Sequence, residues 1–273
     1  MATESDVGKA AAAVGRAVST AGIWVGHRVA DAWRAVDPDL RWHLAQLPLV
    51  GLTLLGRGSA SPLPLPDDGH RPVIFVHGLG GSPGNFLPMR TYFRLHGRGR
   101  TYAPAFAGGE SLDQMAAHLA RYLDEVVGVN GLSPDTAVDV VAHSMGGLVA
   151  RLAVDLAPRR IATLVTLGTP HGGSHLARYG HTARSLDLRP DSEVLARLAR
   201  QLPWRGPPDV PRAIAFWSGA DVIVLPAASA CLDGARNLEL PGSTHYGYLI
   251  HPAAWARVFD ALDLSAADAS PAG

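Results

Sequence analysis

The chain of 273 residues contains one cysteine, Cys231, so no disulfide can form within it and the fold does not depend on an oxidising compartment. In "ASACLDG" that thiol has no base beside it and reads as a packing residue rather than a nucleophile. An excess of one charge is missing too. Lys+Arg and Asp+Glu number 24 each, the formal net charge is zero, and the electrostatic case for nucleic acid or an acidic partner falls away. A membrane-spanning run is also absent. The longest apolar stretch, "LAQLPLVGLTLLG" from Leu44 to Gly56, is interrupted by Gln46, Pro48 and Gly51 and is too short to cross a bilayer as a helix. The opening "MATESDVGKAAAAVGRAV" starts acidic and has no compact apolar segment, so it does not read as a secretory signal. The expectation is a soluble cytoplasmic protein, with membrane-surface association left open. No internal repeat is visible.

What is present falls into two parts. Over residues 5–37, Val7, Ala11, Val14, Val18, Ala21, Val25, Val29, Ala32 and Val36 recur at steps of three or four, an apolar stripe on a helix. Asp37-Pro38 reads as an N-cap and first helical residue of a second helix. Residues 1–58 are therefore expected to form an N-terminal helical extension, and its stripe to fold onto the body of the protein or to touch a membrane surface peripherally. "GRGSASPLPLPDDG" supplies a linker at 59–69.

From residue 70 the pattern changes. Apolar runs at 72–78, 100–106, 136–144, 161–170, 212–219 and 235–242 read as strands, and 111–127, Met145 to Leu156 and Pro252 to Leu262 as helices. Strands alternating with helices point to an α/β class, a mainly parallel central sheet with helices on both faces, over 70–264. Residues 265–273 read as a flexible tail. In such sheets chemistry gathers beyond the carboxyl ends of the strands.

Three strand ends carry chemistry-bearing residues. In "VVAHSMGG" Ser144 stands between an apolar strand and two glycines. A strand that turns sharply into a helix lifts one side chain above the sheet, and residues two away must be small. Ala142 and Gly146 are, although alanine replaces the first glycine of the G-x-S-x-G pattern. The plainer reading is a serine N-cap. A serine hydroxyl needs a base and an orienting acid. Asp221 in "FWSGADVIVLP" and His245 in "LPGSTHYGYLIHP" follow strands in the order acid, then histidine. Asp233 and Asp209 are the rival acids and His251 the rival base, the last standing before Pro252 where a cap or surface role fits. "VHGLGG" ends the first strand, and main-chain N–H groups of Leu79 and Met145 would bind a developing oxyanion. A glycine-rich turn can also cradle phosphate, but this one lacks the Lys and Ser/Thr of a P-loop.

"PVIFVHGLGGSPGNF", "VVAHSMGGLVAR", "VTLGTPHGGS", "SGADVIVLP" and "STHYGYLIHP" together resemble successive blocks of bacterial lipases and esterases of the α/β-hydrolase fold, and the "AHSMG" turn is similar to that of small bacterial lipases. The resemblance covers about 70–260. It implies an α/β-hydrolase with Ser144 as nucleophile, Asp221 as acid, His245 as base and Leu79 and Met145 as oxyanion donors, acting on a small-molecule acyl ester or lipid. An acyltransferase or amide hydrolase with the same triad, and a non-catalytic binding protein, are the other classes open to such a chain. Residues 1–69 resemble nothing named.

Of the other histidines, His143 is expected to pack or hydrogen-bond within the elbow and His77 to brace the oxyanion turn. His171, His175 and His181 lie close together, but no carboxylate or cysteine completes a ligand set, so neither metal nor cofactor is expected. Residues 174–211 lie between two strands where a lid would sit, and an ordinary crossover helix is the equal alternative.

Overall fold

The computed structural model describes residues 45, 46, 48, 51, 61–201, 204 and 211–267. All belong to one compact unit, Ala45–Gly273. The helical stripe of 5–37 and nearly all of the expected 1–58 extension lie outside the described residues, as do Asp209, residues 202, 203, 205–208 and 210, and residues 268–273.

The apolar runs become strands because burial on both faces leaves no polar side. Among the described residues there are six: β1 (Val73–Val76), β2 (Thr101–Tyr102), β3 (Val138–His143), β4 (Ile161–Leu167), β5 (Arg212–Trp217) and β6 (Arg236–Glu239). Every pairing is parallel, in the order β2-β1-β3-β4-β5-β6. β2 shrinks from the expected 100–106 to an edge pair, with Pro104 in an isolated bridge beyond it. β6, at the other edge, is largely exposed.

Among the described residues, beyond the helical positions 45, 46, 48 and 51, the α-helices are α1 (Leu87–Leu95), α2 (Leu112–Val129), α3 (Met145–Leu156), the short α4 (Ala183–Asp187), α5 (Glu193–Leu198) and α6 (Gly247–Ile250), and α7 (Pro252–Ala267). α2 starts where Ser111 and Gln114 form a reciprocal capping box. α7 runs on past the expected Leu262 to Ala267. Two cores flank the sheet. Ile74, Val76, Val140, Ala142 and Leu164 pack with Leu119, Leu123 and Leu148 of α2 and α3. Phe75, Val141, Val165 and Phe216 pack with Met89 and Phe93 of α1 and Val258 of α7. Successive residues of one strand thus enter opposite cores, and each fully buried Leu or Phe contributes about 1.5–3 kcal/mol.

The strand order sets the location of the site. From β1 the chain moves outward to β2, then returns to the other side of β1 to form β3. The connections after β1 and β3 therefore leave in opposite directions and open a crevice above their carboxyl ends. "VHGLGG" follows β1 and Ser144 follows β3.

Candidate active site

β3 ends at His143 and α3 begins at Met145, so a single residue makes the turn. Ser144 does so with φ +55° and ψ −130°, a backbone region costly to any residue but glycine, at about 1–3 kcal/mol. The turn is held on both sides: the Ser144 N–H donates to the Leu167 carbonyl at 2.9 Å and the Gly147 N–H donates to the Ser144 carbonyl at 3.0 Å. Although Ser144 occupies the N-cap position, its side chain makes no cap hydrogen bond. Its hydroxyl is therefore not serving the helix, as the plainer sequence reading would have it. The two turns are pressed together. A Cβ on Gly146 would sit 2.5 Å from the Val76 carbonyl oxygen, and one on Gly78 would sit 2.8 Å from the Ser144 Cβ.

After β1, the Gly81 N–H donates to the Gly78 carbonyl at 3.1 Å and the Ser82 N–H to Asn85 Oδ1 at 2.7 Å, which fixes the glycine turn. Leu79 lines the cavity above Ser144. Met145 is fully buried as the first residue of α3, where helix N–H groups lack intrahelical acceptors. His77 Nδ1 lies 3.1 Å from the Gly78 carbonyl, within the same turn.

Asp221 and His245 come from the loops after β5 and β6, 2 % and 3 % exposed. His245 Nδ1 donates to Asp221 Oδ2 at 2.8 Å. The other carboxylate oxygen, Oδ1, accepts from the amides of Ile223 at 2.9 Å and Val224 at 3.1 Å. Burial alone would push the Asp221 carboxyl up. The His245 ring and the two amides outweigh it and hold the group below the ordinary carboxylate range. Ser144, His245, Leu79, Leu188, Ile223 and Leu249 are among the residues around one cavity of about 310 Å³. Asp221 thus orients from behind a histidine that faces the same space as the serine. Of the rivals, Asp233 is exposed and His251 lies beside Gln46, at 3.4 Å.

His143 stands between the elbow and the histidine loop. Its Nε2 donates to the His245 carbonyl at 2.8 Å, and the two rings are 4.7 Å apart. Burial, then the neighbouring His245, push its pKa down to about 3. The unfolded chain binds a proton there below about 6.5 that the native protein refuses. The stability associated with a neutral His143 is complete above about pH 6.5 and is lost as pH falls toward 3, at about 1.4 kcal/mol per pH unit. His143→Asn, which keeps an N–H donor, should show a shallower loss of Tm than the parent between pH 6.5 and 4. Thermal melts at matched ionic strength check this, and equal slopes would contradict it.

The three clustered histidines separate. His171 is buried, accepts from Arg151 Nη1 at 3.3 Å and donates through Nε2 to Thr166 Oγ1 at 3.0 Å. His175 and His181 are exposed. Among the described residues no group of three or more His, Cys, Asp or Glu side chains is placed to hold a metal. Arg151 of α3 also donates to the Leu198 carbonyl at 2.7 Å and lies over the Trp204 ring at 5.7 Å, so it ties the connection between β4 and β5 to the helix that follows Ser144. Neither Arg151 nor Gln46 stands out in the sequence, because both act on partners far along the chain.

A family model described as "PGAP1-like alpha/beta domain" matches residues 102–186. A triacylglycerol lipase of Burkholderia plantarii is 33% identical over 160 residues, 54% of this chain and 43% of that protein. A triacylglycerol lipase of Pseudarthrobacter phenanthrenivorans is 33% identical over 118 residues, 40% of this chain and 35% of that protein. These matches take in less than half the length of the curated relatives. In three dimensions the chain is similar to Aspergillus fumigatus lipase B, with a TM-score of 0.60 at 19% identity over 75% of this chain and 56% of that one. No described helix is long and apolar enough to cross a membrane.

Proposed function

We propose, from its fold and its partial similarity to triacylglycerol lipases, that the chain is a serine ester hydrolase of the α/β-hydrolase type that cleaves acyl esters through Ser144, His245 and Asp221. The observation that carries this reading is the buried His245–Asp221 pair, 2.8 Å apart, facing the cavity into which a positive-φ serine projects.

The chemistry follows from the atoms. Asp221 keeps the proton of His245 on Nδ1, so Nε2 presents a lone pair. Nε2 takes the Ser144 proton as Oγ attacks the ester carbonyl carbon. The carbonyl π pair moves to oxygen, and the N–H groups of Leu79 and Met145 receive the oxyanion. Collapse of the tetrahedral species breaks the ester C–O bond, and the imidazolium returns the proton to the leaving alcohol. Water then repeats the sequence on the acyl-enzyme and frees the acid.

Leu79, Leu188, Ile223 and Leu249 give the cavity an apolar wall, which suits an acyl chain. Leu188 belongs to the 174–211 connection, so that segment contributes to the acyl wall in the position of a lid. The similarity to triacylglycerol lipases supports a lipid or acyl-glycerol ester as substrate. Purified full-length protein should bind one fluorophosphonate per chain and hydrolyse both p-nitrophenyl butyrate and a longer acyl ester. Failure to label together with failure to turn over either ester would overturn the proposal.

A further inference from the structure

The described residues just upstream of the hydrolase sheet, at 45, 46, 48 and 51, are helical, and two of them reach the site. Gln46 is 6 % exposed. Its Oε1 accepts from the Thr244 hydroxyl, and its Nε2 lies 3.4 Å from His251 Nε2. Thr244 is itself 1 % exposed, is the residue immediately before His245, and accepts from the Gly247 N–H at 2.9 Å. One buried amide therefore touches both ends of the turn 244–251, which carries His245 at its start and the cavity residues Tyr246 and Leu249 within it. A buried carboxamide needs such partners, and leaving one unsatisfied costs about 1–3 kcal/mol. In the sequence Gln46 looks like a polar break in "LAQLPLVGLTLLG". In the fold it is a clasp.

Gly51 lies one helical turn or so further on and lines the same cavity as Ser144 and His245. A Cβ built on it meets nothing within 4 Å, so a side chain there enters open space at the cavity wall.

We infer that two residues upstream of the sheet are working parts of the ester site: Gln46 is a positioning residue that holds the His245 turn through Thr244, and Gly51 is a specificity-determining residue whose missing side chain leaves room for the acyl chain. The inference rests on the triad reading above and adds to it a wall supplied from outside the sheet. Misplacing a general base by a fraction of an ångström leaves substrate binding intact and slows the chemical step. An obstructed acyl channel instead discriminates between substrates by length.

The test uses the full chain with a short and a long p-nitrophenyl ester. Gln46→Leu should lower kcat for the short ester by about tenfold with KM within about twofold of the parent, because it disturbs orientation rather than binding. Gln46→Glu, which keeps an oxygen acceptor for Thr244, should recover most of that loss. Thr244→Val should reproduce the Gln46→Leu effect and Thr244→Ser should not, a comparison that stands even if Gln46→Leu folds poorly. Gly51→Phe should lower the ratio of long-ester to short-ester kcat/KM by about tenfold or more. Parent-like kcat in Gln46→Leu and Thr244→Val, with an unchanged ratio in Gly51→Phe, would overturn this inference while leaving the triad standing. Full activity in Ser144→Ala would overturn the triad reading and this inference with it.

Discussion

Ser144→Ala should abolish fluorophosphonate labelling and lower kcat for a short ester by about 10⁴- to 10⁶-fold, with little change in KM. The loss is expected to be chemical rather than structural. The Ser144 side chain makes no cap bond to α3, and the hydrogen bonds that hold the elbow are made by its main chain, which alanine keeps. Ser144→Gly separates the two roles further. At φ +55° a non-glycine residue carries about 1–3 kcal/mol of backbone strain, which glycine relieves. Part of that gain is offset by the greater freedom of glycine in the unfolded chain. The glycine variant should therefore be as inactive as the alanine variant yet melt at or above the parent temperature, where each 1 kcal/mol corresponds to about 2–4 °C at this size. Intact-mass labelling, ester kinetics and calorimetry on the same preparations check all three statements. Near-parent labelling in Ser144→Ala would remove Ser144 as the nucleophile.

His245→Ala should fall to within about tenfold of the serine variant, since the hydroxyl then has no base. Asp221→Asn is more informative. Its Oδ1 can still accept from Ile223 and Val224, so the loop after β5 keeps its form. Its amide nitrogen would then face His245 Nδ1, now an N–H donor opposite another donor. The imidazole relieves the clash by carrying its proton on Nε2, where it can no longer take the serine proton. The expected loss is about 10²- to 10⁴-fold in kcat with nearly full stability. Asp221→Ala should be as slow and also less stable, because two buried amides lose their acceptor. Asp233→Asn and His251→Ala should retain far more activity than either. If that second pair proved to be the inactive one, the assignment of acid and base would be wrong.

The extent to which this architecture is legible in the sequence follows from the range of its interactions. β1, β3, β4 and β5 are largely buried on both faces and mostly apolar, so "VIFV", "VDVVAH", "IATLVTL" and "RAIAFW" announce themselves without periodicity. Ser144 and Asp221 stand just beyond such runs, which is why local pattern reaches them; His245 follows the largely exposed β6 and is reached through its order after the acid. α1 goes unread because "LPMRTYFRL" is short, has a proline at its second position and buries only Met89 and Phe93. β2 is overestimated because an apolar run does not reveal where edge pairing breaks into a two-residue strand and an isolated bridge. The contacts that escape local pattern join distant residues. Gln46 and Thr244 are separated by 198 positions and His143 and His245 by 102, and neither pair has a spacing rule. His143 shows the limit well: its position beside the serine predicts a local bond, whereas its ring crosses to the carbonyl of the candidate base.

The parallel order of the sheet has a kinetic corollary. The glycine turn, Ser144, Asp221 and His245 follow β1, β3, β5 and β6 respectively, so the candidate site is complete only when strands distant in the chain have paired. Such non-local pairing is slow to form, because loop closure must precede the contacts that reward it. The last strand in the row is also the edge strand with exposed residues, hydrogen-bonded to β5 alone among the described strands. Fraying there would withdraw His245, the proposed base, while leaving the serine, its elbow and most of both cores in place. On the proposed triad, turnover would report the closure of the sheet's far edge, and a nascent chain would acquire its hydroxyl early and its reactivity last.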